Sequence, residues 1–477
     1  MEKFGRDEWV AQIEGRRKVG GPWLRLAEQW QRVPLGLRFA LFIILAAAVP
    51  LATDNDYVIR VAGNFALYSI LALGLNLVVG YAGLLDLGYV AFYGLGGYAY
   101  AYLSSDFSGL HWPAWASIPL VIFLTALVGL LLGSTSLRLL GDYLAIVTLG
   151  FGQIFVQLTN NLTRISLPGR AEPVDLTGGP NGIVNIDPIS FLGFSASTVT
   201  HYYYLLLVLL ALILIVVYHL NNSRIGRAWR SLREDELAAE AMGMPTRWLK
   251  LLAFAIGAGI AGLSGSVFAA WQGNVFPNNF DVTLLILLYT MVILGGMGSL
   301  PGVVMGAFIL SVMPEVLREV ELSRYLFYGG MLFVLATMIR PWPRLVLVLV
   351  GVLVGGYLLK LAVIALWPTL VTTPEVASSF LGRALQAWLI IPPQATLIGN
   401  LAFVVVVPLL LFLSRTRYTN VRLIALIPTL YLLAFVWETR LAVEPSITRL
   451  LLLGVLLVVL MIYRPQGLLG QRRVEII

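Results

Sequence analysis

Apolar runs long enough to form membrane-crossing helices alternate with short polar breaks along most of this chain of 477 residues. A helix needs about 20 apolar residues to cross the hydrocarbon core of a bilayer, and a run of that length with almost no charge is the signature of a span. The pattern predicts spans at 37–52, 57–80, 88–103, 114–137, 142–160, 200–220, 249–271, 283–299, 300–317, 325–340, 345–367, 396–413, 423–437 and 446–463. The fold class that follows is all-α, a polytopic transmembrane helical bundle with the lipid bilayer as its solvent.

Composition agrees with that pattern. Hydrophobic residues make up 59% of the chain, charged residues 12%, and the mean hydropathy is +0.86, which leaves too little polar surface for a soluble globule of this size. The net charge of +7 has two readings, nucleic acid or membrane topology, and the positions of the cations separate them. With the N-terminus in the cytoplasm and sides alternating, Arg224, Arg227, Arg230, Arg233, Arg247 and Lys250 share one cytoplasmic loop. Arg340, Arg344, Arg415, Arg417, Arg422 and Arg464 fall on the same side, and a minority, including Arg60, Arg164, Arg318, Arg324 and Arg383, fall on the other. This asymmetry obeys the positive-inside rule, so both termini are expected in the cytoplasm and no nucleic-acid partner is expected.

Candidate chemistry is sparse. There is no cysteine, and His111, His201 and His219 are too scattered to suggest a metal site. The four lysines, Lys3, Lys18, Lys250 and Lys360, never follow a glycine, so the chain lacks the GxxxxGK[ST] loop that cradles nucleotide phosphates. No nucleophile, base and acid cluster suggests catalysis. No catalytic residue and no metal are therefore expected. Residues 1–36 lack the compact apolar core of a secretory signal, and Trp9, Trp23 and Trp30 among arginines suit an interfacial segment or a tail.

One cytoplasmic loop stands out, residues 221–248, NNSRIGRAWRSLREDELAAEAMGMPTRW. Ile225, Trp229 and Leu232 recur at helical spacing, as do Leu237, Ala241 and Met244, with charges on the opposite face, and Gly243 and Pro245 end the second helix. Such helices fit a groove on a cytoplasmic partner or lie as ordinary interfacial helices.

The run IGRAWRSLREDELAAEAMGMP closely resembles the cytoplasmic coupling loop of permease subunits of branched-chain amino-acid ABC importers of the LivM type. The similarity extends in order through GLNLVVGYAGLLDLGYVAFYGLGGYAYAYL at 74–103, GDYLAIVTLGFGQI at 141–154, TGGPNGI at 177–183, FAIGAGIAGLSGSVFAAWQGNVFPNNF at 254–280, ILGGMGSLPGVVMGA at 293–307 and YRPQGLLG at 463–470. It implies a multi-pass subunit of the bacterial inner membrane, with about 10 family-core helices and 3–4 extra C-terminal ones. The implied partners are a homologous second permease, two cytoplasmic ATPase subunits that bind the ATP, and a periplasmic substrate-binding protein. The permease itself then needs no cofactor and is not an enzyme. Within the coupling loop, Ile225, Trp229, Leu232, Glu236, Ala239, Glu240 and Gly243 are the expected ATPase-coupling residues. A urea or short-amide importer is an alternative within the class. A proton-coupled secondary transporter would need a relay of intramembrane ionisable groups, for which Asp86, Asp142 and Lys360 are too few.

The expected organisation is a cytoplasmic or interfacial segment at 1–36, a permease core at 37–340, additional helices at 341–445, and a last helix with its tail at 446–477. The segments 323–341 and 447–465 each run from an arginine through an apolar span to Arg-Pro, which reads as a duplicated last helix, an inserted bundle, or a chance likeness of two Leu-rich spans that end at a cytoplasmic Arg-Pro. Asp86 and Asp142 are candidates for the pathway or for helix caps, with capping favoured because both precede apolar helical runs. Gly83, Gly94, Gly97, Gly257, Gly259, Gly262 and Gly265 are expected to let helices approach closely. The outer polar stretch 161–199 is expected to be an ordered, turn-rich loop that helps dock the binding protein.

Overall fold

The computed structural model describes residues 35–136, 142–163, 175–191, 194–316, 318, 320–339, 342–367, 379–390, 392, 394–415, 419–443, 454 and 466–470. Nearly every apolar run within them is helical. Among the described residues eight helices are long and apolar enough to cross a membrane, and up to nine if the bent pair Leu300–Val316 and Glu321–Ala336 is one span. The difference from fourteen expected spans has local causes. The run 37–52 is divided into α1 (Leu35–Ala47) and α2 (Val49–Ala52), where Pro50 removes a helical N–H donor. The run 88–103 forms α4 (Tyr89–Leu103), whose 15 residues reach only about 22 Å at 1.5 Å per residue. The expected span 446–463 lies outside the described residues, apart from residue 454.

The chain packs as two compact units, Met1–Gly74 with Gly88–Phe280 and Leu75–Leu87 with Asp281–Ile477. In the first, α3 (Asp56–Leu75), α4, α5 (Ala114–Ser136), α6 (Asp142–Asn161), α7 (Val199–Asn222) and α10 (Thr246–Gln272) are the long elements, with the short α8 (Arg224–Glu234) and α9 (Glu236–Ala241) before α10. Helix α10 is the core of this unit, packed against both α4 and α5. Small residues make that possible, since lipid tails are as apolar as leucine and helices associate in a membrane by close packing. A Cβ on Gly262 would strike the Thr125 side chain, and one on Gly265 would strike the Tyr93 carbonyl. Gly94 similarly leaves room for the Phe155 and Phe280 rings, and Gly97 lies against Phe280. Gly257 is buried on the same helix, while Gly259 makes only ordinary contact with Ile122. Gly96, which the spacing did not single out, lies against the Gly262 backbone so closely that no side chain fits.

Gly83 needs a correction. It is exposed in the break after α3, with φ +73°, so it serves a left-handed turn and not helix packing.

In the second unit the chain leaves α3 as a π-helical turn, Asn76–Tyr81, and returns as α11 (Val282–Gly295) and α12 (Leu300–Val316). These two cross backbone to backbone at Gly295 and Gly302. The tail then closes α11: the N–H groups of Leu468 and Leu469 donate to the carbonyls of Leu294 and Gly295 at 2.9 and 3.1 Å. Those carbonyls have no acceptor role within their own helix, so the tail satisfies groups that a helix end otherwise leaves orphaned. The motifs ILGGMGS, which starts at residue 293, and RPQGLLG, which starts at 464, thus form one structure.

The remaining elements of this unit are α13 (Val320–Met338), α14 (Trp342–Leu366), α15 (Phe380–Trp388), α16 (Ala395–Arg415) and α17 (Thr419–Val443). Leu385, Val406, Tyr431 and Phe435 form one buried cluster, and Leu335, Leu345, Val348, Val352 and Leu430 belong to another. Lys360 donates to the carbonyls of Gln386 and Ala387, both at 2.8 Å, at the C-terminal end of α15, where a cation is favoured. A buried charge network ties α13 to α17. Arg324 Nε and Nη2 donate to the Glu438 carboxylate at 2.9–3.2 Å, Arg324 Nη1 donates to Glu321 at 2.9 Å, and Tyr328 donates to Glu438 at 3.3 Å.

Candidate functional site

The loop 221–248 folds as two capped helices. Ser223 starts α8 by accepting from the N–H of Gly226 at 3.3 Å, and Asp235 starts α9 by accepting from Ala238 at 3.0 Å. At the other end of α9 the N–H of Gly243 donates to Glu240 at 2.9 Å and that of Met244 to Ala239 at 3.1 Å. With Gly243 at φ +78°, this is a Schellman termination, in which glycine takes the left-handed position after the helix.

The two apolar ridges face opposite ways, that of α8 packing inward and that of α9 standing open at Leu237 and Ala241. Trp229 is fully buried and its indole Nε1 donates to the Leu249 carbonyl at 2.8 Å. Leu232 and Ala239 are also buried, and Ile225 is half-buried. The ridge of Ile225, Trp229 and Leu232 therefore anchors the loop to its own chain and is not the surface open to a partner. Glu236, its side chain 43% exposed, pairs with Lys250 of α10 at 2.5 Å, where the lysine side chain is 11% exposed. Glu240, Gly243, Leu237 at 79%, Met242 at 82% and Trp248 at 58% exposure are among the residues left open. Lys250 was missed as a structural partner because a lysine in a basic loop reads from sequence as a solvated charge.

A second group forms where α3 breaks. Asn76 is buried in the π-turn and its Oδ1 accepts from the Gly298 N–H at 2.8 Å. Its Nδ2 has no hydrogen-bond partner among the described residues. Asp86 is 1% exposed, and its carbonyl oxygen accepts from the Tyr289 hydroxyl at 2.6 Å. The N-cap position of α4 is Gly88, two residues after Asp86. Asp142 opens α6, and its side chain lies outside the described residues. Asn76 and Tyr289 were not singled out from the sequence. The signal that could have found Asn76 is a carboxamide within an otherwise apolar run, since π-turns inside helices are rare and cluster at functional sites.

The segment 175–191 is ordered by hydrogen bonds. Asp175 Oδ1 accepts from the N–H groups of Thr177 and Gly178 at 3.0 and 2.8 Å, and residues 183–184 form strand β1 (Ile183–Val184), paired antiparallel with β4 (Asn274–Val275). Between them, β2 (Ser190–Phe191) and β3 (Phe194–Ser195) form a small hairpin. Gly182 has φ +62° and faces the Val275 carbonyl so closely that a Cβ would collide, which explains the glycine in TGGPNGI. Pro180, Asn181 and Val184 stay exposed. His111 Nδ1 lies 2.7 Å from Asp187 Oδ2, and its Nε2 lies 3.4 Å from Asp106. The hydrogen bond to Asp187, with the charges of Asp187 and Asp106, holds the imidazole pKa above its usual value. Residues 164–174 of the expected docking stretch lie outside the described residues.

Among the described residues no group of three or more potential metal ligands gathers. The loop 221–248 is a pair of capped helices fixed to α10, with three large apolar side chains, Leu237, Met242 and Trp248, presented outward.

Residues 57–337 match the family described as the branched-chain amino acid transport system permease component. The high-affinity branched-chain amino acid transport system permease protein LivM of Escherichia coli is 37% identical over 353 residues, 69% of this chain and 79% of the relative. That of Salmonella typhimurium is 39% identical over 68% of this chain and 78% of the relative. A probable branched-chain amino acid transport permease protein LivM of Methanocaldococcus jannaschii is 26% identical over 51% of this chain and 76% of the relative. No solved structure matches the chain. By its ordered motifs, its membrane helices and these similarities, the chain belongs to the family of permease components of branched-chain amino acid transport systems.

Proposed function

We propose that the chain is the translocating permease subunit of an ATP-driven importer of branched-chain amino acids in the bacterial inner membrane, with both termini cytoplasmic. ATP is bound and hydrolysed by two separate cytoplasmic subunits, a homologous second permease completes the membrane assembly, and a periplasmic binding protein delivers the substrate. The permease binds no cofactor of its own.

The observation that carries this reading is the outward pair Leu237 and Met242, the most exposed large apolar side chains of the loop 221–248. Large apolar side chains this exposed are suited to a protein groove. Trp229 bonded to Leu249 and Glu236 paired with Lys250 join both helices to α10, so a push on α9 passes to a membrane helix without first being absorbed by a slack loop. Ile225, Trp229, Leu232, Glu236 and Ala239 then position the coupling surface, and Leu237, Glu240, Met242 and Gly243 make or border the contact. Asp86, Asn76 and Asp142 are pathway candidates.

The test is co-purification. Leu237→Arg with Met242→Arg changes only exposed side chains, so the permease stays folded in the membrane, and the ATPase subunits are lost or uncoupled from uptake. Normal co-purification together with normal uptake contradicts the assignment. On the outer face, Asn181→Arg with Val184→Arg is expected to lower the ATPase stimulation by the binding protein.

A further inference from the structure

Helices α13, α14, α16 and α17 enclose an open cleft of about 680 Å³, within the roughly 300–1,000 Å³ typical of ligand pockets. Its wall is apolar over most of its length, with Leu335, Ile339, Leu413, Leu426 and Leu430 among the lining residues, and the two polar exceptions are Arg344 and Arg422. The exceptions share one end. Arg344 lies in the first turn of α14 and Arg422 in the first turn of α17, where α13 and α16 finish. Among the described residues neither arginine has an ion-pair partner, and both are exposed. Trp342, 68% exposed at the same end of α14, is the kind of residue that settles at the membrane–water boundary.

We propose that this cleft is a binding site for an anionic phospholipid, with acyl chains along the leucine-lined wall and the phosphate headgroup held by Arg344 and Arg422. The chemistry selects this occupant from both ends. In a bilayer an open apolar cleft is filled by lipid tails, and a guanidinium matches a phosphate with two parallel hydrogen bonds. Two arginines at the first turns of two helices add the favourable end of each helix dipole to their own charge. A zwitterionic lipid would fill the same wall but bring a cation toward these two cations, and a water-soluble anion would leave the apolar wall uncovered. The site belongs to the helices beyond residue 340 together with α13, and it goes beyond the transport reading, which does not depend on it.

The experiment uses the full chain, extracted in mild detergent from vesicles of phosphatidylcholine containing a minor fraction of phosphatidylglycerol, with retained lipid counted by mass spectrometry. The expected result is enrichment of phosphatidylglycerol over its vesicle fraction, falling by about fivefold for each of Arg344→Gln and Arg422→Gln. Leu426→Trp, which fills the wall and leaves both arginines, is expected to reduce total retained lipid. Equal retention of both lipids, enrichment unchanged in the double arginine variant, or retention of inorganic phosphate alone overturns the proposal. So does disulfide cross-linking that places residues 446–463 in the cleft.

Discussion

Trp229 anchors the loop 221–248 to α10. It is fully buried, and its single polar atom is satisfied by the Leu249 carbonyl. Trp229→Ala removes both, and losses of about 3–5 kcal/mol are typical for emptying such a site. The measurement is thermal unfolding of the purified permease, which is expected to fall well below the native value, whereas Leu237→Ala, on an exposed side chain, leaves it unchanged. Gly243→Val forces a β-branched residue into a left-handed position at a cost of about 1–2 kcal/mol, so it loosens the end of α9. His111 gives a pH signature on the opposite loop. Because its folded-state pKa is raised by Asp187, protonation stabilises the 104–113 loop. That contribution is complete below the unfolded value of about 6.5 and is lost as pH rises through the raised folded value. Proteolysis of this loop is expected to quicken over that window, and His111→Gln is expected to abolish the dependence. These single-residue roles were unevenly legible. The caps Ser223 and Asp235 and the stop at Gly243 follow local rules, but Glu236–Lys250 joins residues 14 apart whose geometry depends on how α9 folds back on α10.

At the scale of elements, hydrophobic periodicity located most helices but left open which way the apolar stripes of α8 and α9 face. An amphipathic helix has an apolar stripe whether that stripe meets a partner or its own chain, and only tertiary structure separates the two. Glycine spacing found Gly94, Gly97, Gly262 and Gly265 but missed Gly96, because the decisive contact is with Gly262 on another helix. Gly96→Leu or Gly262→Leu is expected to abolish stable membrane accumulation, since the neighbour is backbone or a buried threonine. The Arg324–Glu438 pair was not legible either, as its members are 114 residues apart. Removing one partner of a buried pair leaves an uncompensated charge and costs about 3–5 kcal/mol, while replacing both with apolar residues is often neutral. Glu438→Ala is therefore expected to lower the melting temperature of the permease sharply, and Arg324→Met with Glu438→Leu to restore most of it. A double variant no better than the single one would show that the pair does not join α13 to α17.

For the whole molecule, family membership was legible because seven separated motifs occur in order, and the structure explains why several of them are spaced so far apart. GLNLVVG meets GGMGS through Asn76 and Gly298, and GGMGS meets RPQGLLG through the end of α11. TGGPNGI meets the strand after α10 through Ile183 and Val275. Such motifs are the fixed points of a backbone that must break within a membrane and still satisfy its hydrogen bonds. The helices beyond residue 340 carry no family motif until the tail, so sequence could count them without saying how they pack. The central claim is that transport through this permease is driven by ATP on partner chains. Leucine uptake into vesicles carrying the permeases, ATPases and binding protein tests it most directly. Uptake that requires both ATP and the binding protein and persists with a proton uncoupler is the predicted result, and uptake that proceeds without ATP and collapses with the uncoupler would contradict it.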